Sequence, residues 1–287
     1  MRICLFWNER AGEGASLVEL RSLIAGAGHR IAHVVEDARD LPAAIASPVD
    51  CVVAAGGDGT VARAGRALAG GDLPLAILPL GTANNIASSL HIEGAPPELI
   101  AKWSDQRIVT IDIGVMRSGK GESYFLESVG TGLVAAGIAE GQATLSKDDP
   151  EEHLLQARRM YLNTIQHLSP RHRRLTIDGE SMDGDYLLVE VLNTPSIGPG
   201  IRLSPDVNAA DGLLSVVAAG ESDREALASY VRALMRGNPA DAGLKSWPAS
   251  RVELAGMDDV HVDDEVREGE GDAVSVTIKA GFLRVFG

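Results

Sequence analysis

The residue types best suited to chemistry stand at 56–60, which read Gly-Gly-Asp-Gly-Thr between an apolar run at 51–55 and a helix-forming stretch at 61–68. This order predicts a strand, a glycine turn and the start of a helix. Glycines let backbone N–H groups approach a ligand, and a helix N-terminus adds a partial positive charge, so phosphate is the expected ligand. Asp58 would repel a bare phosphate, which predicts that its carboxylate faces Mg²⁺, directly or through water, with Thr60 as a hydroxyl donor. A tight turn with a capped helix would use the same residues.

A second glycine turn follows at 79–87, which read Pro-Leu-Gly-Thr-Ala-Asn-Asn-Ile-Ala after the apolar run 75–78. Two successive strand, turn and helix units place both turns at one edge of the predicted sheet. In an open α/β sheet, ligands bind at the carboxyl ends of the strands. We therefore expect the two turns to line one crevice.

Taken together, the motifs at 56–60 and 79–85 resemble the diacylglycerol kinase catalytic domain family, the soluble bacterial lipid kinases that are related to sphingosine kinases. The resemblance implies that ATP and Mg²⁺ bind in the crevice and that a lipid hydroxyl accepts the phosphate. It implies these nucleotide-binding residues: Asn8, Gly56, Gly57, Asp58, Gly59, Thr60, Gly81, Thr82 and Asn85. Asp58 is also expected to be catalytic and to lie at the Mg²⁺ of the nucleotide.

The similarity extends along most of the chain. Segment 8–12, Asn-Glu-Arg-Ala-Gly, looks like the family's Asn-Pro-x-x-Gly turn at the nucleotide. Segments 111–114 and 125–132 look like its Asp-x-Gly crossing between domains and its Phe-x-x-x-x-Gly-x-Gly segment. The stretch 203–214 is similar to a hairpin in which members carry a structural Mg²⁺, and the resemblance implies Asp211 as its ligand.

Residues 262–265, Val-Asp-Asp-Glu, stand where the family has Val-Asp-Gly-Glu, and the resemblance implies that Glu265 is the general base. Three positions depart from the family's pattern. Glu9 replaces a Pro, Asn85 replaces a frequent Asp, and Asp264 replaces a Gly, which adds a charge and a Cβ beside the expected base. These departures motivate one alternative, a catalytically silent sensor that binds nucleotide or lipid without turnover.

The chemistry expected of Glu265 can also be argued from the reaction. Phosphoryl transfer depends mainly on positioning and electrostatics. A carboxylate that takes the proton of the attacking hydroxyl typically contributes about 10²–10⁴-fold. Seven acidic residues crowd the segment 258–270, and such a run is usually a solvated surface. The charge pattern alone therefore favours a surface role, and only the resemblance singles out Glu265.

Composition narrows the function classes. The 287 residues are 45% hydrophobic, as expected of a globular chain that can bury two lobes of moderate size. Cys4 and Cys51 lie in predicted buried strands, so neither a disulfide framework nor a zinc site is expected, and a reducing cytosol is the simplest location. No apolar run approaches the length of a membrane-spanning helix, and the first strand starts directly after Met1-Arg2, which predicts neither a transmembrane segment nor a signal peptide.

The net charge of −14 argues against nucleic acid as a partner, because phosphate backbones require a basic surface. The resemblance implies a lipid partner at the inner face of the membrane, reached by a cytoplasmic protein that binds peripherally, with a homodimer as one candidate assembly. The same negative charge complicates this partner, because an anionic membrane surface repels it. Arg158, Arg159 and 171–174 flank a helical stretch with apolar residues at helix spacing. This basic segment would suit phospholipid headgroups, whereas a core-packed helix with a basic C-terminal end is the simpler interpretation.

The chain divides near Gly114 into two predicted domains, 1–114 and 115–287. In the first, strand-like runs alternate with helical stretches, which predicts a doubly wound α/β lobe that binds nucleotide. The strands are expected at 3–7, 29–35, 51–55, 75–78 and 108–113, and the helices at 15–27, 61–68 and 84–90. In the second, short strands and glycine turns predict an antiparallel β-sandwich lobe, interrupted by helices at 151–168 and 223–236, and the resemblance implies that this lobe binds lipid. The resemblance implies that the last strand, near 282–287, returns to the first lobe.

The resemblance implies a kinase that transfers the terminal phosphate of ATP to a hydroxyl of diacylglycerol or a related lipid. NAD kinases and phosphofructokinases share a Gly-Gly-Asp-Gly turn, so a soluble acceptor such as NAD is a further alternative. The chain has no Asn-x-Gly-x-Leu-Gly-Phe segment of the NAD kinase type, and its second turn favours the lipid kinases.

Overall fold

A parallel sheet forms the first lobe of the computed structural model, which describes residues 1–8, 15–105, 107–144, 149–238, 242–268, 270 and 273–287. Its strands are β1 (Arg2–Trp7), β2 (Arg30–Val35), β3 (Cys51–Gly56) and β4 (Leu75–Pro79). They lie in the order β4-β3-β1-β2, and every pair is parallel. All six residues of β3 are buried, because helices cover a parallel sheet and leave its central strands uniformly apolar.

The helices of this lobe begin at a capping box, at a proline in the first turn or within a glycine turn. They are α1 (Leu17–Gly26), α2 (Leu41–Ile45), α3 (Asp58–Leu68), α4 (Asn85–Ser89) and α5 (Pro96–Lys102). Ser16 and Glu19 form a capping box at the start of α1, in which each side chain binds the other residue's backbone N–H. Helices α3 and α4 start within the two glycine turns, at Asp58 and Asn85, so each begins at the carboxyl edge of the sheet.

A long antiparallel pair joins the two lobes. Strand β5 (Ile108–Ser118) runs without a break across Gly114, and it pairs with the last strand of the chain, Ala273–Phe286. Near its end this last strand also pairs in parallel with β4, through Val285 and Leu75. The expected return of the chain terminus to the first lobe is therefore confirmed.

Antiparallel strands dominate the second lobe. They are β6 (Gly121–Phe125), β7 (Ser128–Gly132), β8 (Arg171–Ile177), β9 (Glu180–Ser181), β10 (Gly184–Leu192), β11 (Ser196–Ile197), β12 (Ile201–Arg202), β13 (Leu214–Gly220), β14 (Ser246–Ala249), β15 (Arg251–Ala255), β16 (Asp259–Val262), β17 (Glu265–Glu268) and β18 (Ala273–Phe286). An apolar core of aliphatic side chains from β7, β8, β10, β13, β15, β16 and β18 fills the space between the sheets. The predicted class, an α/β lobe followed by a β-sandwich lobe, is correct.

Three helices complete the second lobe: α6 (Leu133–Thr144), α7 (Pro150–His167) and α8 (Arg224–Met235). They cover β10 and β13 with a separate apolar core. The helix α6 was not expected, because Leu133–Thr144 is rich in Ala and Gly and shows no contrast between a polar and an apolar face. No helix in the described part of the chain combines the length and the apolar character that crossing a membrane requires.

The basic segment differs from its expected form. Helix α7 ends at His167, and Arg171 and Arg173 lie on strand β8 rather than at a helix end. Arg171 forms an ion pair with Asp258 at 2.5 Å, and the buried Arg173 donates a hydrogen bond to the carbonyl oxygen of Gly256 at 2.5 Å. These two guanidinium groups are used within the fold, which leaves less charge for a lipid headgroup than the sequence suggested.

Candidate active site

The two glycine turns touch each other through their backbones. A Cβ placed on Gly57 would lie 3.2 Å from Cα of Gly81. A Cβ placed on Gly81 would lie 3.1 Å from the backbone N of Gly57 and closer still to its Cα. Only glycine fits this approach without a shift of one turn. The turns therefore meet at the carboxyl ends of β3 and β4, where α3 and α4 start, and together they line the candidate phosphate crevice.

Asp58 fastens the second turn to the first. Its Oδ1 accepts a hydrogen bond from the backbone N–H of Ile86 at 2.9 Å, and the backbone N–H of Asn85 also donates to the carboxylate. Burial raises the pKa of Asp58, the two N–H groups oppose this, and the charge of Asp264 raises it further. Asp58 thus binds the backbone at the start of α4.

The second turn is shaped by Asn84, which the sequence analysis did not select. Asn84 adopts the left-handed conformation with φ of 50°, which Asn tolerates better than most residues. Its Oδ1 accepts from the N–H of Gly81 at 3.0 Å, and its Nδ2 donates to the carbonyl oxygen of Gly81 at 2.7 Å. The adjacent Asn-Asn pair was the available signal, because Asn favours such turns. The half-buried Thr82 lies inside the same turn.

Thr60 lies beneath the first turn, with 1% of its surface exposed. A Cβ on Gly56 would come within 2.6 Å of Cβ of Thr60, so this glycine is required by packing. The Nδ2 of Asn8 donates to Oγ1 of Thr60 at 3.3 Å, which brings the end of β1 to the same place. Glu9 and Gly12 of the predicted first turn lie outside the described residues.

The turn between β16 and β17 carries three consecutive acids to the crevice. Asp263 is buried and left-handed, with φ of 51°. Its Oδ1 accepts from the N–H groups of Leu126 and Glu127 at 3.0 and 2.8 Å. The left-handed, strained position in this turn is thus Asp263. Asp264 replaces a glycine of the family pattern, but its φ is not in the left-handed region.

Two arginines of α3 bind these acids across the lobes. Arg66 pairs with Asp263 at 3.2 Å and with Glu265 at 2.9 Å, and Arg63 pairs with Asp264 at 3.0 Å. Both arginines were missed, because their partners lie about two hundred residues away in the sequence. The network places Glu265 beside the helix that starts in the first glycine turn.

Asp264 reaches the first glycine turn itself. A Cβ on Gly59 would lie 3.0 Å from Cγ of Asp264 and 3.1 Å from Nη2 of Arg63. Asp58 and Asp264 therefore present carboxylates on the same side of the phosphate crevice. Mg²⁺ that accompanies a nucleotide needs only one or two carboxylates besides phosphate oxygens and water, so this donor set fits it.

Asp211 lies in a separate part of the fold. It is exposed, and its Oδ1 accepts from the N–H of Leu213 at 2.9 Å, an ordinary turn contact. The buried Asp112 instead braces the neighbourhood by accepting from the N–H groups of Gly212 and Gly281, both at 2.7 Å. No cluster of three metal-ligating side chains occurs among the described residues. The structural Mg²⁺ at Asp211 stays a prediction.

Comparison with protein families matches both lobes. A model described as "Diacylglycerol kinase catalytic domain" matches residues 2–116, and one described as "YegS C-terminal NAD kinase beta sandwich-like domain" matches residues 132–287. A "Diacylglycerol kinase" of Mycobacterium tuberculosis is 32% identical over 256 residues, which cover 82% of this chain and 79% of that protein. A "Probable lipid kinase YegS-like" of Pseudomonas aeruginosa is 29% identical over 289 residues, which cover 96% and 91% of the two proteins.

Solved structures show the same fold. The crystal structure of a diacylglycerol kinase from Bacillus anthracis has a TM-score of 0.72 and 20% identity, with 99% of this chain and 96% of that chain covered. An NAD kinase from Archaeoglobus fulgidus, in complex with ATP, has a TM-score of 0.57 and 11% identity, with 100% and 94% covered. At these identities, the likeness concerns the fold alone.

Proposed function

The chain belongs to the diacylglycerol kinase family, and from this premise we propose that it transfers the terminal phosphoryl group of ATP to a hydroxyl of diacylglycerol or a related lipid. The observation that carries the proposal is the contact between Gly57 and Gly81. It leaves no room for a side chain at either glycine, and two helices start at these turns, which supports a phosphate site built from backbone. Because the acceptor is a lipid, we place the reaction at a membrane surface.

The proposed role of each residue follows from its position in the two turns. Gly56, Gly57 and Gly59 in the first turn hold the phosphates through backbone N–H groups. Gly81 and Thr82 line them from the second turn, where Asn84 holds the N–H of Gly81. Mg²⁺ neutralises phosphate charge when it accompanies the nucleotide. Asp58 holds this ion, directly or through water, while its other oxygen keeps the second turn in place.

Asn8, Thr60 and Asn85 support the nucleotide from the walls of the crevice. Asn8 and Thr60 are hydrogen-bonded to each other beneath the first turn, so they brace it from the side of the sheet. Asn85 starts α4, and its backbone N–H is directed at Asp58. These placements keep the two turns at a fixed separation.

Glu265 accepts the proton of the attacking hydroxyl. Its side chain is 42% exposed, so an acceptor can reach it, and Arg66 holds Oε1 while Arg267 lies 3.4 Å from Oε2. The hydroxyl oxygen forms a bond to the terminal phosphorus, the bond from that phosphorus to the oxygen bridging to the β-phosphate breaks, and ADP leaves. The proton moves to the Glu265 carboxylate, and the product is a lipid phosphate.

The test measures transfer of label from terminally radiolabelled ATP, with Mg²⁺, to a panel of acceptors. Diacylglycerol, monoacylglycerol, phosphatidylglycerol, sphingosine and ceramide are presented in mixed micelles, and NAD in solution. Asp58→Ala and Glu265→Gln should abolish transfer. Glu268→Gln is the matched control, because Glu268 lies exposed on the same strand as Glu265 and should leave the rate unchanged.

Each other outcome points to a different conclusion. Transfer to NAD alone would replace the lipid with a soluble acceptor. ATP binding without transfer to any acceptor would indicate a silent sensor. Full activity of Glu265→Gln would remove the proposed base while leaving the kinase assignment intact.

A further inference from the structure

Arg63 differs from Arg66, its neighbour on α3, in how its guanidinium group is used. Arg66 donates from both terminal nitrogens to acids, with Nη1 3.2 Å from Asp263 and Nη2 2.9 Å from Glu265. Arg63 donates from Nη1 to Oδ2 of Asp264 at 3.0 Å. Among the residues that the structure describes, Nε and Nη2 of Arg63 have no acceptor. One edge of this guanidinium group is therefore open to a ligand.

The open edge of Arg63 lies at the first glycine turn. Gly59 and Arg63 are four residues apart on α3, so they share a helix face, and a helical side chain leans toward the N-terminus of its helix. Nη2 of Arg63 lies 3.1 Å from the place that a Cβ of Gly59 would occupy. The first N–H groups of a helix have no acceptor within the helix. The guanidinium group and these N–H groups thus lie together at the start of α3.

The carboxylate of Asp264 lies at the same turn and affects how phosphate can bind there. Its Cγ is 3.0 Å from the place that a Cβ of Gly59 would occupy, so an unpaired Asp264 would repel phosphate at this turn. The ion pair with Arg63 offsets that charge. The side chains of Arg63 and Asp264 are 32% and 43% exposed, so a ligand can reach both. An ion pair this exposed contributes little to stability, which leaves its effect on the site as the main one.

We propose that Arg63 is a phosphate-binding residue, which donates from Nε and Nη2 to phosphate oxygens of ATP while Nη1 keeps its hydrogen bond to Asp264. The inference rests on the proposed function, because it takes the first glycine turn as the phosphate site. A guanidinium group presents parallel N–H donors that match phosphate, and hydrogen bonds between charged groups are strong. Asp264 then orients the guanidinium group, and its open edge stays at the turn.

A simpler role for Arg63 is to neutralise Asp264 without touching the nucleotide. Both roles predict weaker binding of ATP when Arg63 alone is replaced. They differ in a chain whose Asp264 is already Asn, because that chain has no charge at 264 to neutralise. Only direct contact with phosphate makes Arg63 matter in both chains.

The test measures the Kd of ATP, with Mg²⁺, by isothermal titration calorimetry. Arg63→Gln is made in the wild type and in Asp264→Asn, and in each chain it should raise this Kd by at least about tenfold, because hydrogen bonds between charged groups are lost. The Kd of adenosine, which has no phosphate, should not change. The melting temperature of Arg63→Gln should stay within about 4 °C of the wild type. Arg21→Gln is the matched control, because Arg21 is an exposed arginine on α1, and it should keep the wild-type Kd.

The outcomes separate this inference from the proposed function. An active wild type whose Kd for ATP is unchanged in Arg63→Gln, or changed only in the chain that keeps Asp264, would overturn the role of Arg63 alone. A higher KM for phosphatidylglycerol with unchanged ATP binding would assign Arg63 to a lipid phosphate and would also overturn it. A wild type that binds no ATP would overturn the proposed function and this inference together. ATP binding that weakens in both Arg63→Gln chains, without transfer to any acceptor, would overturn the kinase and support the phosphate contact.

Discussion

The contact between the two glycine turns yields a graded prediction. A Cβ on Gly81 would lie 2.9 Å from Oδ1 of Asn84 and 3.1 Å from the backbone N of Gly57, so one turn must move by roughly 1 Å in Gly81→Ala. Overpacking of this kind costs about 1–3 kcal/mol of stability. A displacement of about 1 Å at a reacting group can cost about 10²-fold in rate, and we expect that loss in kcat/KM. Gly57→Ala, with its Cβ 3.2 Å from Gly81, should lose less.

The assay follows transfer of labelled phosphate to diacylglycerol at several ATP concentrations, together with a thermal melt of each variant. Gly26→Ala is the control, because a Cβ there meets nothing within 4 Å, and it should match the wild type or exceed its stability. We expect activity to fall from the wild type to Gly57→Ala and then to Gly81→Ala. An unchanged kcat/KM in Gly81→Ala would refute the idea that the touching turns hold the phosphates.

Three further predictions concern charge. Arg66→Gln leaves the buried Asp263 without its cation and should lower the unfolding free energy by about 3 kcal/mol at neutral pH. Burial raises the pKa of Asp263 to about 6, so the loss of stability in Arg66→Gln should be smaller in more acid solution, where Asp263 is protonated. An equal loss in urea titrations above and below pH of about 6 would contradict this prediction. Burial lowers the pKa of His261, but the Glu190 carboxylate 2.9 Å away outweighs burial and raises this pKa. The stability from the pair is therefore complete below the pKa that His261 has in the unfolded chain. It is lost as pH rises through the pKa that His261 has in the folded protein. Denaturation should therefore show lower stability at about pH 9 than at about pH 6, and Glu190→Gln should flatten the difference. If Asp211 holds a structural Mg²⁺, chelator should lower the melting temperature of the wild type but not of Asp211→Ala, and equal melting of the wild type with and without chelator would exclude the ion.

Local sequence patterns were sufficient to predict the strands and helices of the first lobe that carry the two glycine turns. The buried run of β3 and the glycines after it act within a few residues, so the sequence predicts both the turn and the start of α3. The same reasoning missed α6, because its small apolar residues have no polar face to mark a helical period. It also placed Arg171 at a helix end rather than on β8, because a basic segment looks alike in either element.

The candidate active site shows the same division between residues that local sequence patterns predict and contacts that they do not. The sequence by itself determined the glycine turns, because only glycine lets backbone approach backbone and phosphate, and it indicated Glu265 through a resemblance of short motifs. Tertiary structure decided that Arg66 binds Glu265, and that Asn85 meets the buried Glu127. These contacts join residues far apart in the chain, and their energies depend on burial and on distances of a few ångströms that no local pattern encodes.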